Sequence, residues 1–281
     1  MNIGSEQAIT KMLSDVGLEA DDLFSDVPDR FRRTLDLPPG QSDMVVEEEL
    51  RGELSRNVTM DQRPGLLGGG AYAHWVPPET RYLATRGEFL TAYTPYQSEI
   101  NQGLLTALFE FQTISARLLD LEVANTGVYD GASGAGEACL MALRVKRRAD
   151  TILVPEHLPR QRRSIIENYV LGAGGQVVDV PTDEGRGTMD LDALERLLDA
   201  HDVAGVHVEL PNAYGSIHPN ARLGELAHDA GALFTCMVPE VTALGLIHGP
   251  GAFGVDITAA EGQPMALPPS FGGPALGLFA A

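Results

Sequence analysis

Residues 203–238 read VAGVHVELPNAYGSIHPNARLGELAHDAGALFTCMV: an apolar run, a turn-forming stretch, a helical pattern and a second apolar run. Val203–Leu210 and Ala232–Val238 are rich in Val, Leu and Phe and too short for buried helices. Leu223–Ala230 between them carries the 3.6-residue spacing of an amphipathic helix. Strand, helix, strand in that order makes a βαβ unit, which needs parallel strands with both faces covered.

The unit repeats in both directions. Upstream, Thr151–Val154 and Gln176–Val180 read as strands, with helices at Arg160–Leu171 and Leu191–Ala200. Downstream lies a strand at Val255–Ala259. The final run, Ala275–Ala281, follows Phe271-Gly272-Gly273-Pro274 with no room for a crossover helix, so it is expected to be antiparallel. Ahead of the series stand a helix at Ile100–Leu119, a short strand near Glu122–Ala124, and a helix of small residues at Ser133–Arg148. These sum to a mainly parallel α/β sheet.

Residues 1–60 differ. Ile9, Met12, Leu13 and Val16 fall at helical spacing before Gly17, a second short helix fits Asp21–Phe31, and Asp43–Arg56 fits a third. This is read as an arm without its own core. Residues 61–100 are irregular and rich in aromatics, which argues against disorder. The expected division is 1–80, a helical arm with an interface loop, and 81–281, the large α/β domain.

Composition narrows the function. The 281 residues carry a formal charge of −19, with 18 arginines and only two lysines, Lys11 and Lys146. This charge disfavours nucleic acid as a partner, because phosphate binding needs clustered cations. No apolar run reaches the length of a membrane span and the N-terminus lacks a charged and apolar leader pattern, so a cytoplasmic protein is expected. Cys139 and Cys236 sit in apolar stretches and are read as buried free thiols. The seven histidines lack metal spacing, so no metal site is expected.

Four features carry candidate chemistry. Asp130-Gly131-Ala132-Ser133-Gly134-Ala135-Gly136 enters a helix after a strand. Free N–H groups there can hold an anion, and the same glycines can serve close helix–sheet packing. Its spacing is not that of a dinucleotide fingerprint. Tyr93-Thr94-Pro95-Tyr96-Gln97-Ser98-Glu99 puts two phenols, an amide and a carboxylate in a proline-stiffened loop, suited to a shared site or to an interface. His157 follows a strand at the edge where open α/β sheets take ligands. Pro211-Asn212-Ala213-Tyr214-Gly215 makes a turn at the end of another. No nucleophile elbow occurs.

The chain resembles the alpha subunit of two-subunit glycine decarboxylase, in the P-protein family of the glycine cleavage system. The resemblance rests on Phe24-Ser25-Asp26-Val27-Pro28, Leu66-Leu67-Gly68-Gly69-Gly70-Ala71-Tyr72-Ala73-His74 and Phe89-Leu90-Thr91-Ala92-Tyr93-Thr94-Pro95-Tyr96-Gln97-Ser98-Glu99. Gln102-Gly103, Ala124-Asn125, Tyr129-Asp130-Gly131-Ala132, Pro211-Asn212, Glu261-Gly262-Gln263 and Ser270-Phe271-Gly272-Gly273-Pro274 extend it over essentially the whole chain. It implies an aminotransferase-like fold, pyridoxal-phosphate fold-type I, with a mainly parallel seven-stranded sheet. It also implies a site built jointly with a second subunit that holds pyridoxal phosphate on its lysine.

Such enzymes bind the cofactor as a Schiff base on a lysine amine. The corresponding position here reads Ala259-Ala260-Glu261-Gly262-Gln263-Pro264, with Gln263 in the lysine's region, so no covalent cofactor is expected in this chain. An acidic residue that would pair with the pyridine nitrogen is also missing, since Val238 stands at that strand end. Gly131, Ala132 and Ser133 would then form a degenerate phosphate loop. Tyr93, Thr94, Tyr96, Gln97, Glu99 and His74 would line the shared site or interface. The implied partners are the lysine-bearing subunit, in a heterotetramer, with glycine and the lipoyl arm of H-protein as substrates. The alternative is a silent homologue that acts only as a scaffold. An independent pyridoxal enzyme would need Lys11 or Lys146. The chain departs from the family in Val238-Pro239-Glu240-Val241 and in extra glycines at Gly127, Gly134 and Gly136, and the small C-terminal domain that the resemblance implies is expected to be missing or truncated.

Overall fold

The computed structural model describes residues 4–33, 36–60, 62–65, 70–92, 94–218, 220–270 and 272–281. The expectations that fall on Tyr93, on Leu66–Gly69 and on Phe271 lie outside the described residues. The chain parts into two compact units, Met1–Arg63 and Pro64–Ala281, where the sequence reading had divided it at residue 80.

The first unit holds helices α1 (Glu6–Asp15) and α2 (Asp43–Leu54). The single helix expected over Asp21–Phe31 is instead two 3-10 turns, Ala20–Phe24 and Asp29–Phe31. Pro28 between them has no N–H to continue a helical ladder. None of the described residues of this unit is buried.

The second unit begins with two short helices in the stretch read as irregular, α3 (Pro78–Ala84) and α4 (Gly87–Leu90). Pro78 at the first helical position starts α3, a placement where its missing N–H costs nothing. Then come α5 (Gln102–Leu118), α6 (Gly131–Val145), β1 (Thr151–Pro155), α7 (Arg160–Gly172) and β2 (Gln176–Val180). A two-residue hairpin, β3 (Thr182–Asp183) with β4 (Thr188–Met189), was not foreseen. The chain continues through α8 (Leu191–Ala200), β5 (Val203–Glu209), α9 (Asn220–Asp229), β6 (Leu233–Val238), β7 (Ile257–Glu261) and β8 (Gly277–Ala280).

Six strands form one sheet in the order β2-β1-β5-β6-β7-β8. The first five are parallel and β8 runs antiparallel to β7, as its missing crossover required. The seventh expected strand, near Ala124, exists only as isolated bridges, Ala124 to Ala280 and Val128 to Gly277, along the outer edge of β8. Gly127 between them, at φ +108°, breaks the regular ladder.

Two layers of helix enclose the sheet, and the period of two along β1 shows why. Ile152 and Val154 pack with Ala135, Cys139, Ala142, Ile166 and Val170 of α6 and α7. Leu153 packs on the other side with Leu194 and Leu198 of α8 and Leu223 and Ala227 of α9. A third cluster joins Leu119, Val238, Val241, Ala260 and Leu278. Both cysteines are free and buried, as expected, and burial pushes the Cys139 thiol up to about 12. Among the described residues no helix is long and apolar enough to cross a membrane.

Candidate functional site

The carboxyl ends of β6 and β7 meet the start of α6, and the sequence there explains the approach. Asp130 caps α6 by accepting from the Ser133 N–H at 2.6 Å. Gly131 is fully inside the fold. A Cβ on it would stand 2.8 Å from the Glu261 nitrogen and 2.8 Å from Met237 Cε. One on Gly134 would meet the Ala259 side chain at 2.9 Å, and one on Gly136 the Tyr169 ring at 2.8 Å. Close packing of α6 therefore accounts for this glycine series, one of the two readings the sequence left open.

A cleft of about 420 Å³ opens at this junction. Asp130, Ala132, Arg162, Pro239, Glu261 and Gln263 line it, together with the proline- and glycine-rich turn around Ser270. Its size suits a small ligand, and its place at the carboxyl edge of a parallel sheet is where such folds bind one.

Glu261 is the organising carboxylate. Its Oε2 accepts from the Gly131 N–H at 2.9 Å. Its Oε1 accepts from the Gln263 N–H at 2.9 Å and the Leu276 N–H at 3.2 Å. Gln263 is buried and its side-chain amide donates to the Leu267 carbonyl. The Arg162 guanidinium is bound to Glu209, at the end of β5, through two nearly parallel N–H donors, the second at 2.9 Å. Burial pushes the Glu209 carboxyl up, opposed by the Arg162 hydrogen bond and charge.

The residues do not fit a covalently held pyridoxal phosphate. The strand-end position carries an amide with no nucleophilic amine, and Val238 is core, wholly buried beside Val241 and Ala260. No carboxylate replaces it at that strand end: Glu240, two residues on, faces the His74 ring at 3.3 Å.

The other candidates are placed as follows. Thr94, Tyr96 and Gln97 line a separate, open hollow with Phe89, Ile100 and Leu104. Tyr96 is 82% exposed there. Glu99 is exposed and outside the lining of that hollow. His74 sits apart from these, against Glu240 beside the cleft. His157 joins Thr182 at 2.9 Å and Asn212 at 3.2 Å, and stacks on His218 with ring centres 5.5 Å apart. Burial pulls His157 down and His218 to about 4. Among the described residues no cluster of side chains could hold a metal.

Sequence reasoning missed the roles of Glu261, Arg162 and Glu209. Glu261 was visible only as an acid at a strand end, and its contact with Gly131, 130 residues away, was not. The Arg162–Glu209 pair, 47 residues apart in the chain, left no local pattern.

Comparison with known proteins matches residues 2–281 to the glycine cleavage system P-protein family. A curated relative, the probable glycine dehydrogenase (decarboxylating) subunit 1 of Thermococcus kodakarensis, is 44% identical over 96% of this chain and 59% of its own length. The subunit 1 of Pyrococcus furiosus is 42% identical over 96% of this chain and 60% of its own. The chain thus spans about three-fifths of the curated relatives it matches. Among solved structures, glycine decarboxylase (P-protein) in inhibitor-bound form superposes with a TM-score of 0.85 at 37% identity, covering all of this chain and 62% of that one.

Proposed function

The chain belongs to the glycine cleavage system P-protein family, and from that premise we propose that it is the non-lysine-bearing subunit of a two-subunit glycine decarboxylase. Its fold is that of the pyridoxal-phosphate fold-type I enzymes. The observation that carries the reading is the strand end after β7, where Glu261 and Gln263 stand and no lysine does. The lysine-bearing second subunit holds the cofactor, in a heterotetramer. When bound there, pyridoxal phosphate supplies the electron sink for loss of the glycine carboxylate.

This chain contributes shape and polar contacts. Thr94, Tyr96 and Gln97, in an exposed hollow rimmed by Phe89 and Ile100, suit a surface that a second subunit covers. With Tyr93 and Glu99 on the same loop they orient glycine or admit the lipoyl arm of H-protein, which accepts the aminomethyl group. His74 is a further contact through Glu240. The chain alone performs no decarboxylation.

Glycine–bicarbonate exchange tests this. The chain alone gives none, the lysine-bearing subunit alone gives little, and the mixture with H-protein restores it. Exchange at full rate by the partner alone would show that this chain is only a scaffold.

A further inference from the structure

We propose that the Glu261 carboxylate is an internal substitute for an anionic ligand at the start of α6, so that this chain's own cleft stays folded and shut to phosphate esters. A helix start gathers unpaired N–H groups and the positive end of the helix dipole, which together favour an anion. Here that anion is supplied by the chain. Glu261 takes the Gly131 N–H, and its second oxygen takes the Gln263 and Leu276 N–H groups. Asp130 takes the Ser133 N–H on the same turn.

The rest of the lining acts in the same sense. Asp130 and Glu261 put two carboxylates in the cleft, and its one described arginine, Arg162, is already bound to Glu209. An incoming phosphate would face like charge at about 4 Å, with no free cation among the described lining residues to offset it. The close approach of β7 to Gly131 holds the carboxylate in position, because the Glu261 nitrogen lies directly against that glycine. Loss of the cofactor amine and gain of a built-in anion thus occur at one strand end, two residues apart, at Gln263 and Glu261. The inference concerns this chain by itself and does not depend on what a second subunit binds.

The test is a titration of the full ¹⁵N-labelled chain with inorganic phosphate, pyridoxal phosphate and pyridoxal, followed at the Gly131 amide signal. The wild-type signal stays fixed with all three. In Glu261→Ala it moves saturably with phosphate and pyridoxal phosphate but not with pyridoxal, with affinity raised roughly tenfold or more. Glu261→Gln keeps the side chain's size and removes its charge, and serves if the alanine variant fails to fold. It shows the same selectivity more weakly. Saturable phosphate binding at Gly131 in the wild-type chain overturns the proposal, as does a folded variant that gains no phosphate response.

Discussion

Arg162 and Glu209 form a two-pronged ion pair at the carboxyl edge of the sheet, with the Glu209 side chain only 2% exposed. Burial pushes this carboxyl up, and the guanidinium opposes that through its hydrogen bond and charge. Arg162→Leu leaves a buried acid without its partner and is expected to cost about 3–5 kcal/mol in urea unfolding. Adding Glu209→Gln recovers part of the loss. Equal stability of the single variant and the wild type would show that the pair contributes nothing.

Acid should weaken the fold through its buried imidazoles. Burial, aided by the neighbouring His157, lowers His218 from 6.5 to about 4. His207, fully buried, lies at about 3. A depressed histidine is neutral in the fold while the unfolded chain takes up the proton. Its contribution is therefore full above pH 6.5 and is lost as pH falls from 6.5 toward 4. For His218 this amounts to about 3 kcal/mol. His218→Asn keeps an acceptor near the Met189 N–H and should flatten the slope of stability against pH in that window. An unchanged slope contradicts the assignment.

Close packing of α6 predicts intolerance at its first residue. A methyl on Gly131 meets backbone and a methionine tip inside 3 Å. Gly131→Ala should lose about 1–3 kcal/mol by thermal unfolding. Gly174, with open space but φ +82°, tests strain without crowding. Gly174→Ala is expected to cost about 1 kcal/mol.

Tyr96 offers a phenol to whatever covers it, being 82% exposed on this chain. Tyr96→Phe should leave assembly with the second subunit intact and lower glycine exchange by about threefold to tenfold, the range of one hydrogen bond. Unchanged exchange would assign the loop to assembly alone.

Much of the fold was legible because parallel strands leave apolar runs and their helices keep a 3.6-residue period. Thr151–Pro155, Leu191–Ala200 and the antiparallel Gly277–Ala280 all follow from such patterns. The hairpin at Thr182–Asp183 and Thr188–Met189 was not legible, since two-residue strands carry no period. Nor were the 3-10 turns around Pro28. For the candidate site, absence was easier to read than presence. Gln263 and the apolar Val238 can be read directly at the positions where the resemblance implies a lysine and an acid. The roles of Glu261 and Arg162 depend on contacts to Gly131 and Glu209, and pairs so far apart in the chain leave no mark in a single sequence.

The central claim is that this chain completes a site whose cofactor another subunit holds. Borohydride reduction of the assembled complex with pyridoxal phosphate, followed by peptide mass mapping, tests it directly. The account predicts a pyridoxyl-lysine in the second subunit and none in this chain. A pyridoxyl adduct formed in stoichiometric yield on Lys11 or Lys146 would contradict it.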